Sequence, residues 1–534
     1  MQGRPAWSRV SPGLLLIALP TLVALLVVAA SFAEPQPEVW SHLAHHVLPG
    51  VLANTALLVV GVGSGVLVLG TAFAWLTAAC DFPGRRFFAW ALVLPLAMPA
   101  YVLAFVMAGL FDYSGPFATL LRDIAGAAAT LPPVRSRGGA LLTLTLAFYP
   151  YVYLLARIAF LTQGRRALEA AQTLGLSRAQ AFWRVALPMA RPWLAGGVTL
   201  ALMESLADFG AVSVFNFDTF TTAIYKAWFA LFNLPAAAQL ASLLVAFVLL
   251  LAWAEAESRG ARHFHGKGGR AARIVLSGTQ RWIAAGACLA VLLVAFVVPL
   301  LQLLVWAAQA WPEEADARYV GFVLRSLALS AVTAVAVALI ALLLAHLARR
   351  HGEPVNRWLA RLATLGYALP GSVLAVGVFI PVAWVDRQLV ALLRPLGGDA
   401  AQILGGSLAV VVVALCTRFL AVGHQPVEAA MQRITRNQED AARSLGTSAR
   451  ALLWRVHLPL LRGGLLTALL LVFVETMKEL PITLMTRPFG WETLAVRVFE
   501  MTSEGMWQQA ALPSLAIVAA GLLPVLLLVR QTEN

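Results

Sequence analysis

Charge is scarce in this sequence: 12% of its 534 residues are Asp, Glu, Lys or Arg, against about 25% in an average soluble domain. With 60% of the residues hydrophobic, that shortage excludes an ordinary water-soluble globule, and the excess apolar surface has to face lipid. Cysteine is scarcer still. Cys80, Cys288 and Cys416 sit far apart, in or at the ends of apolar runs, which argues against a disulfide framework or a thiolate metal cluster. A phosphate-binding loop is missing as well, because Gly266-Lys267-Gly268 lacks both the following Ser or Thr and the upstream glycine spacing. No nucleophile, metal or acid–base constellation recurs or clusters, so neither an ATPase site nor an embedded enzyme is expected. No clear small-residue cleavage pattern follows the first apolar run, whose core of roughly 20 residues exceeds the 7–15 of a signal-peptide core. It is expected to be a retained helix.

What the sequence has in abundance is runs long enough to span a bilayer, roughly 20 mostly apolar residues each. Twelve are expected, near 13–32, 51–79, 87–112, 138–162, 193–216, 236–255, 282–306, 321–348, 358–385, 404–424, 463–486 and 507–529. The formal net charge is +13, which in a soluble protein would suggest a nucleic-acid partner. Here the basic residues sort by membrane side instead. With the N-terminus inside, 25 Lys and Arg fall on that face, and nine fall on the other. This positive-inside bias places both termini and the long basic loops in the cytoplasm, and no nucleic-acid partner is expected.

Sliding the sequence against itself brings landmarks into register at one offset, 271 residues. Asn54 falls on Arg325, Pro83 on Pro354, Pro99 on Pro370, Gly175 on Gly446, and Trp183-Arg184-Val185 on Trp454-Arg455-Val456. Leu187-Pro188 falls on Leu458-Pro459, Glu204 on Glu475 and Thr222 on Thr493. Six spans per copy is an even number, so the copies are parallel repeats about an axis along the membrane normal, with a solute path expected between them. The expected organisation is a first six-helix repeat at 1–255 (core 51–255), a linker at 256–281, and a second repeat at 282–534 (core 321–530). The linker is polar and Gly-rich, and reads as a flexible cytoplasmic tether.

The fourth and tenth spans are each followed by a patterned cytoplasmic segment. One reads Glu169-Ala170-Ala171-Gln172-Thr173-Leu174-Gly175 and then Phe182 to Pro188; the other reads Asp440-Ala441-Ala442-Arg443-Ser444-Leu445-Gly446 and then Leu453 to Pro459. Each is expected to form two short helices broken at the glycine, which permits a sharp reversal, with the proline ending the second piece. An amphipathic helix lying on lipid would read similarly. Two such loops in equivalent places argue instead for a dimeric cytosolic partner that grips both.

This pattern, an acidic residue, Ala-Ala, then Gly and finally Leu-Pro, is similar to the EAA motif of the membrane subunits of binding-protein-dependent ABC importers; Asp440 stands where that family usually has Glu. The resemblance covers about 50–255 and 320–530. It implies an all-α type I ABC importer permease fold. In that family these loops dock into ATP-binding subunits, which assigns ATPase coupling to Glu169, Ala170, Ala171, Gly175, Leu187, Pro188, Asp440, Ala441, Ala442, Gly446, Leu458 and Pro459. Two cytoplasmic ABC ATPases carrying ATP and Mg2+, a periplasmic solute-binding protein and the bilayer of a bacterial inner membrane are the implied partners, with no cofactor on this chain. Met203 to Gly210 with Asp218 to Trp228, and Met477 to Pro481 with Arg487 to Val498, resemble the fused permeases of iron(III) importers. Thiamine and phosphonate permeases are related alternatives.

The candidate pathway residues are charged or phenolic groups within spans. Glu204 and Asp208, like Glu475 and Glu479, lie four apart and so are expected on one helix face, and intramembrane charges usually face a bundle interior or a wet cavity. Carboxylates suit a hard cation such as iron(III). An equal reading is that Lys478 pairs with Glu475 or Glu479 and the charges hold helices together or gate. The family's binding protein does most of the solute selection, so no metal site is expected. Tyr149, Tyr151 and Tyr153 either line the path or pack. His42, His45 and His46 read as an interfacial helix face. A secondary transporter with parallel repeats is the rival class, but it would give the cytoplasmic loops no reason to repeat.

Overall fold

The computed structural model describes residues 10–126, 129–162, 171, 173, 175–259, 273–394 and 402–533. Helix dominates because lipid offers no partner for a bare backbone N–H or C=O, and a helix satisfies both within one segment. Eleven of the described helices are long and apolar enough to cross a membrane. The last expected span is the helix Ala511–Glu533, whose apolar stretch Ala511–Val525 is shorter.

Four runs expected to be continuous are broken, in two repeat-related pairs. The run at 87–112 divides into Arg85–Ala91, a 3-10 turn at Leu94–Ala97, and Ala100–Phe111. Its counterpart at 358–385 divides into Pro354–Thr364, Leu365–Ala368 and Gly371–Leu393. The break falls at Pro99 (φ −55°, ψ 144°) and at Pro370 (φ −55°, ψ 146°). In each copy the preceding residue, Met98 or Leu369, is extended, as the proline ring requires. The runs at 193–216 and 463–486 divide in the same way. Leu187–Ala207 is followed by the short helix Gly210–Val214, and Leu458–Met477 by Pro481–Thr486.

The chain gathers into two compact units that do not follow the halves of the sequence. One comprises Met1–Trp40, Ile224–Leu243 and Ala315–Arg497; the other comprises Ser41–Ala223, Leu244–Glu314 and Val498–Asn534. In the first, helix Pro12–Ala30 packs along Pro354–Thr364 and Gly371–Leu393. Ser11 N donates to Asn356 Oδ1 at 3.0 Å, and Gly377 lies so close that a Cβ there would sit 3.0 Å from Ala24 O. In the second, Val298–Glu314 packs on Ala511–Glu533 and Ala100–Phe111, with the Trp306 and Phe105 rings stacked at 6.5 Å. Each half of the sequence therefore lends its opening span to the unit built on the other half's core.

The expected flexible tether at 256–281 is partly structured. Helix Leu234–Arg259 runs into it, and residues 260–272 lie outside the described residues. Ile274–Val275 then pairs in parallel with Cys80–Asp81, and Leu276 N donates to Asp81 O at 3.2 Å. The apolar, β-branched Ile274-Val275 pair suits a strand, and composition averaged over the linker conceals it.

Candidate functional site

Of the first patterned loop, Glu169 and Ala170 lie outside the described residues; Ala171 is buried and Gly175 has φ +85°. In the second loop the helix Arg436–Ser444 ends before Gly446, which has φ +81°. Leu176 N donates to Ala171 O at 3.1 Å, and Thr447 N donates to Ala442 O at the same distance. These are repeat-equivalent bonds that close a helix C-terminus around a left-handed residue, a position that strongly favours glycine. A serine follows and opens the next turn in each copy. Ser177 Oγ accepts from Gln180 N at 3.3 Å and Ser448 Oγ from Ala451 N at 3.2 Å, as N-caps do.

The prolines do not end the second piece. Leu187-Pro188 and Leu458-Pro459 form the first turn of the helices Leu187–Ala207 and Leu458–Met477, and each helix is entered from a π-turn, Phe182–Ala186 or Leu453–His457. The wider π-turn accommodates a residue with no N–H and a bulky ring, so the chain stays helical through the proline. Trp183 and Trp454 project from equivalent points at 65% and 56% exposure.

Asp440 and Ala441 are exposed, while the preceding Glu439 is buried. The Glu439 carboxylate lies 3.1 Å from His457 Nε2 and 2.5 Å from Arg349 Nε. His457 Nδ1 meets His346 Nδ1 at 3.1 Å, and Arg349 Nη1 donates to Met431 O at 2.8 Å. This network anchors the loop helix to the span Ala317–Arg350. In the first copy the positions equivalent to His346, Arg349, Glu439 and His457 are Trp75, Ala78, Leu168 and Ala186. There Trp75 packs instead on Phe182 at 4.7 Å and Phe160 at 5.2 Å. None of the four ionic residues was expected from the sequence; the Glu439-Asp440 doublet was the available signal.

The intramembrane carboxylates do not share helix faces. Helix Leu187–Ala207 stops before Asp208, which is extended; its Oδ1 accepts from Val212 N at 3.1 Å and its carbonyl from Thr221 Oγ1 at 2.6 Å. Helix Leu458–Met477 likewise stops before Glu479, whose carboxylate accepts from Ile482 N at 2.8 Å, Thr483 N at 3.0 Å and Thr483 Oγ1 at 2.9 Å. Asp208 and Glu479 thus stand at equivalent positions and do the same work, satisfying N–H groups at the start of a short helix. Around Glu479 the packing is tight: a Cβ on Gly371 would sit 2.7 Å from Pro481 Cγ, 3.1 Å from Glu479 Oε1 and 3.3 Å from Arg418 Nη1. Lys478 Nζ pairs with Glu475 Oε1 at 2.8 Å, the two side chains being 25% and 30% exposed. Glu204 is half-buried.

Tyr149 and Tyr153 are fully buried, and their hydroxyls donate to Leu92 O and Ala89 O at 2.8 Å, carbonyls released where the helix Arg85–Ala91 ends. Tyr151 is half-buried, with its ring 6.2 Å from that of Phe148. The His42 and His46 rings lie 5.2 Å apart, and among the described residues no group of three or more His, Cys, Asp or Glu is placed to hold a metal.

The family model described as the binding-protein-dependent transport system inner membrane component matches twice, over residues 67–263 and 337–532. The chain is 28% identical over 486 residues to the Fe(3+)-transport system permease protein FbpB 2 of Haemophilus influenzae, covering 90% of this chain and 89% of that one. It is 30% identical over 189 residues to the sulfate transport system permease protein CysT of Salmonella typhimurium, covering 34% of this chain and 66% of the relative. The molybdenum transport system permease protein ModB of Escherichia coli is 30% identical over 171 residues, 32% of this chain and 73% of the relative.

Proposed function

This chain belongs to the inner membrane components of binding-protein-dependent transport systems, and from that premise we propose that it is the membrane-spanning permease of an ATP-driven iron(III) importer. The observation that carries the reading is the pair of loops whose glycines, Gly175 and Gly446, close equivalent helix ends through equivalent bonds. The two loops dock into two separate ATPase subunits, one each, and the ATP and Mg2+ belong to those subunits. The excess of Lys and Arg on the loop side puts both loops and both termini in the cytoplasm. Closure of the ATPase pair draws the loops together and turns the permease from inward- to outward-open. A periplasmic binding protein delivers the solute.

Iron(III) is favoured because the relative named for Fe(3+) transport aligns with both halves of the chain, whereas the sulfate and molybdenum relatives align with about a third of it. Among the pathway candidates, Asp208, Glu479, Tyr149 and Tyr153 are committed to backbone groups. Contact with the passing solute is assigned to the half-buried Glu204, Glu475 and Lys478. The test is uptake into proteoliposomes holding the permease, its ATPase and its binding protein. Expected is iron(III) uptake that requires ATP and the ATPase. Uptake of sulfate or molybdate in its place would reassign the cargo, and uptake that survives without the ATPase but collapses with an ion gradient would make the chain a secondary transporter.

A further inference from the structure

Beside the second loop, the ends of the spans Ala317–Arg350 and Leu408–Gln432 and the short helix Pro354–Thr364 border an open cleft of about 400 Å3. Its lining is basic. Arg349, Arg357, Arg361 and His424 contribute to it, with Glu428 as the acidic member. Arg349 is engaged by Glu439 and the Met431 carbonyl. Arg357 and Arg361 are a turn apart on one helix, and among the described residues neither guanidinium makes a hydrogen bond or ion pair. His424 is buried, 8% exposed; its Nε2 lies 3.4 Å from Glu428 Oε2, and its Nδ1 has no partner. A cleft lined by two uncommitted guanidiniums, with Arg349 and an imidazole beside them, suits an anion with several acceptor oxygens.

The helix that carries the arginines indicates which anion. Trp358, 69% exposed, stands between Arg357 and Arg361, and Val355 and Leu365 are exposed on the same segment. Tryptophan and arginine together on a short amphipathic helix at the end of spanning helices mark the level of lipid headgroups. We propose that this cleft binds the phosphate of an anionic phospholipid of the cytoplasmic leaflet, with Arg357 and Arg361 on the phosphate oxygens. The leaflet rests on the orientation given under Proposed function; the chemistry of the cleft does not. A lipid held there would sit against Arg349, and through it against Glu439 and the loop helix.

The test is native mass spectrometry of the full-length chain in detergent, titrated with phosphatidylglycerol, phosphatidylcholine or inorganic phosphate. Wild type is expected to retain phosphatidylglycerol more tightly than phosphatidylcholine, and millimolar inorganic phosphate is expected not to displace it. Replacing both arginines by glutamine (R357Q with R361Q) should weaken retention on the order of tenfold or more. The charge-keeping R357K with R361K, which controls for fold, should retain most of it. Equal phosphatidylglycerol retention by wild type and the glutamine variant would overturn the proposal, and displacement by inorganic phosphate would overturn its lipid identity. Orientation is read separately by labelling Gly352→Cys in a cysteine-free background. Labelling from outside intact cells would overturn the leaflet and the orientation it rests on, while leaving the retention result to decide the site.

Discussion

Glu479 shows how far a single residue's role departs from its position in the sequence. Spacing alone places it on a helix face with Glu475, yet the helix has already ended and the carboxylate accepts three hydrogen bonds from the next short helix. Leaving such buried donors unsatisfied costs about 1–3 kcal/mol per group, so Glu479→Ala is expected to lower the melting temperature in detergent substantially. Lys478→Met removes a partner from Glu475, but that pair is a quarter to a third exposed, and pairs that reach water contribute little. The expected order is therefore a larger loss for Glu479→Ala than for Lys478→Met, and the reverse order in thermal unfolding would contradict the capping role. The sequence disclosed that charges lie within the apolar runs and that they repeat. It did not disclose the breaks beside them, because i,i+4 spacing carries meaning only while the helix continues, and the helix disruptors at the equivalent positions differ, Gly210 in the first copy and Pro481 in the second.

The two loops are alike as elements and anchored differently. The glycine turn was legible, since it depends on local residues; the serine cap after it was not read from the sequence. The anchoring was not, because His346 and His457 are separated by 111 positions and no local pattern pairs them. The π-turns that carry the helices through Pro188 and Pro459 were hidden for a related reason: composition does not distinguish a wide turn from a helix end. Removing one member of a buried ion pair costs about 3–5 kcal/mol when the other is stranded. Glu439→Ala strands Arg349 and is expected to loosen the second loop and reduce ATPase recovery on co-purification. At the equivalent place in the first copy the sequence has Leu168, which carries no charge to pair, and Leu168→Ala is expected to leave recovery close to wild type. Equal losses in the two variants would show that the network is not what holds the second loop.

At the scale of the whole molecule, the repeat was legible and the exchange of opening spans was not. Hydropathy reports that a run such as 13–32 faces lipid on much of its surface; it carries no information about which partner covers the rest. The first span packs on Pro354–Thr364 and Gly371–Leu393, so deleting residues 1–36 is expected to raise amide hydrogen exchange in those helices while leaving Leu48–Ala79 protected. Increased exchange confined to Leu48–Ala79 would contradict the exchanged arrangement.

If both glycine-closed loops hold the ATPase pair, less ATPase must co-purify with the loop variants. A side chain at Gly175 or Gly446 meets nothing within 4 Å, so the penalty at each is the left-handed backbone, about 1 kcal/mol or more, and it falls on the loop while the spans remain intact. Gly175→Asp and Gly446→Asp are expected to give a membrane-inserted permease that recovers less ATPase, with the double variant recovering least and transporting nothing. Full ATPase recovery and normal transport in the double variant would show that these loops do not hold the ATPase.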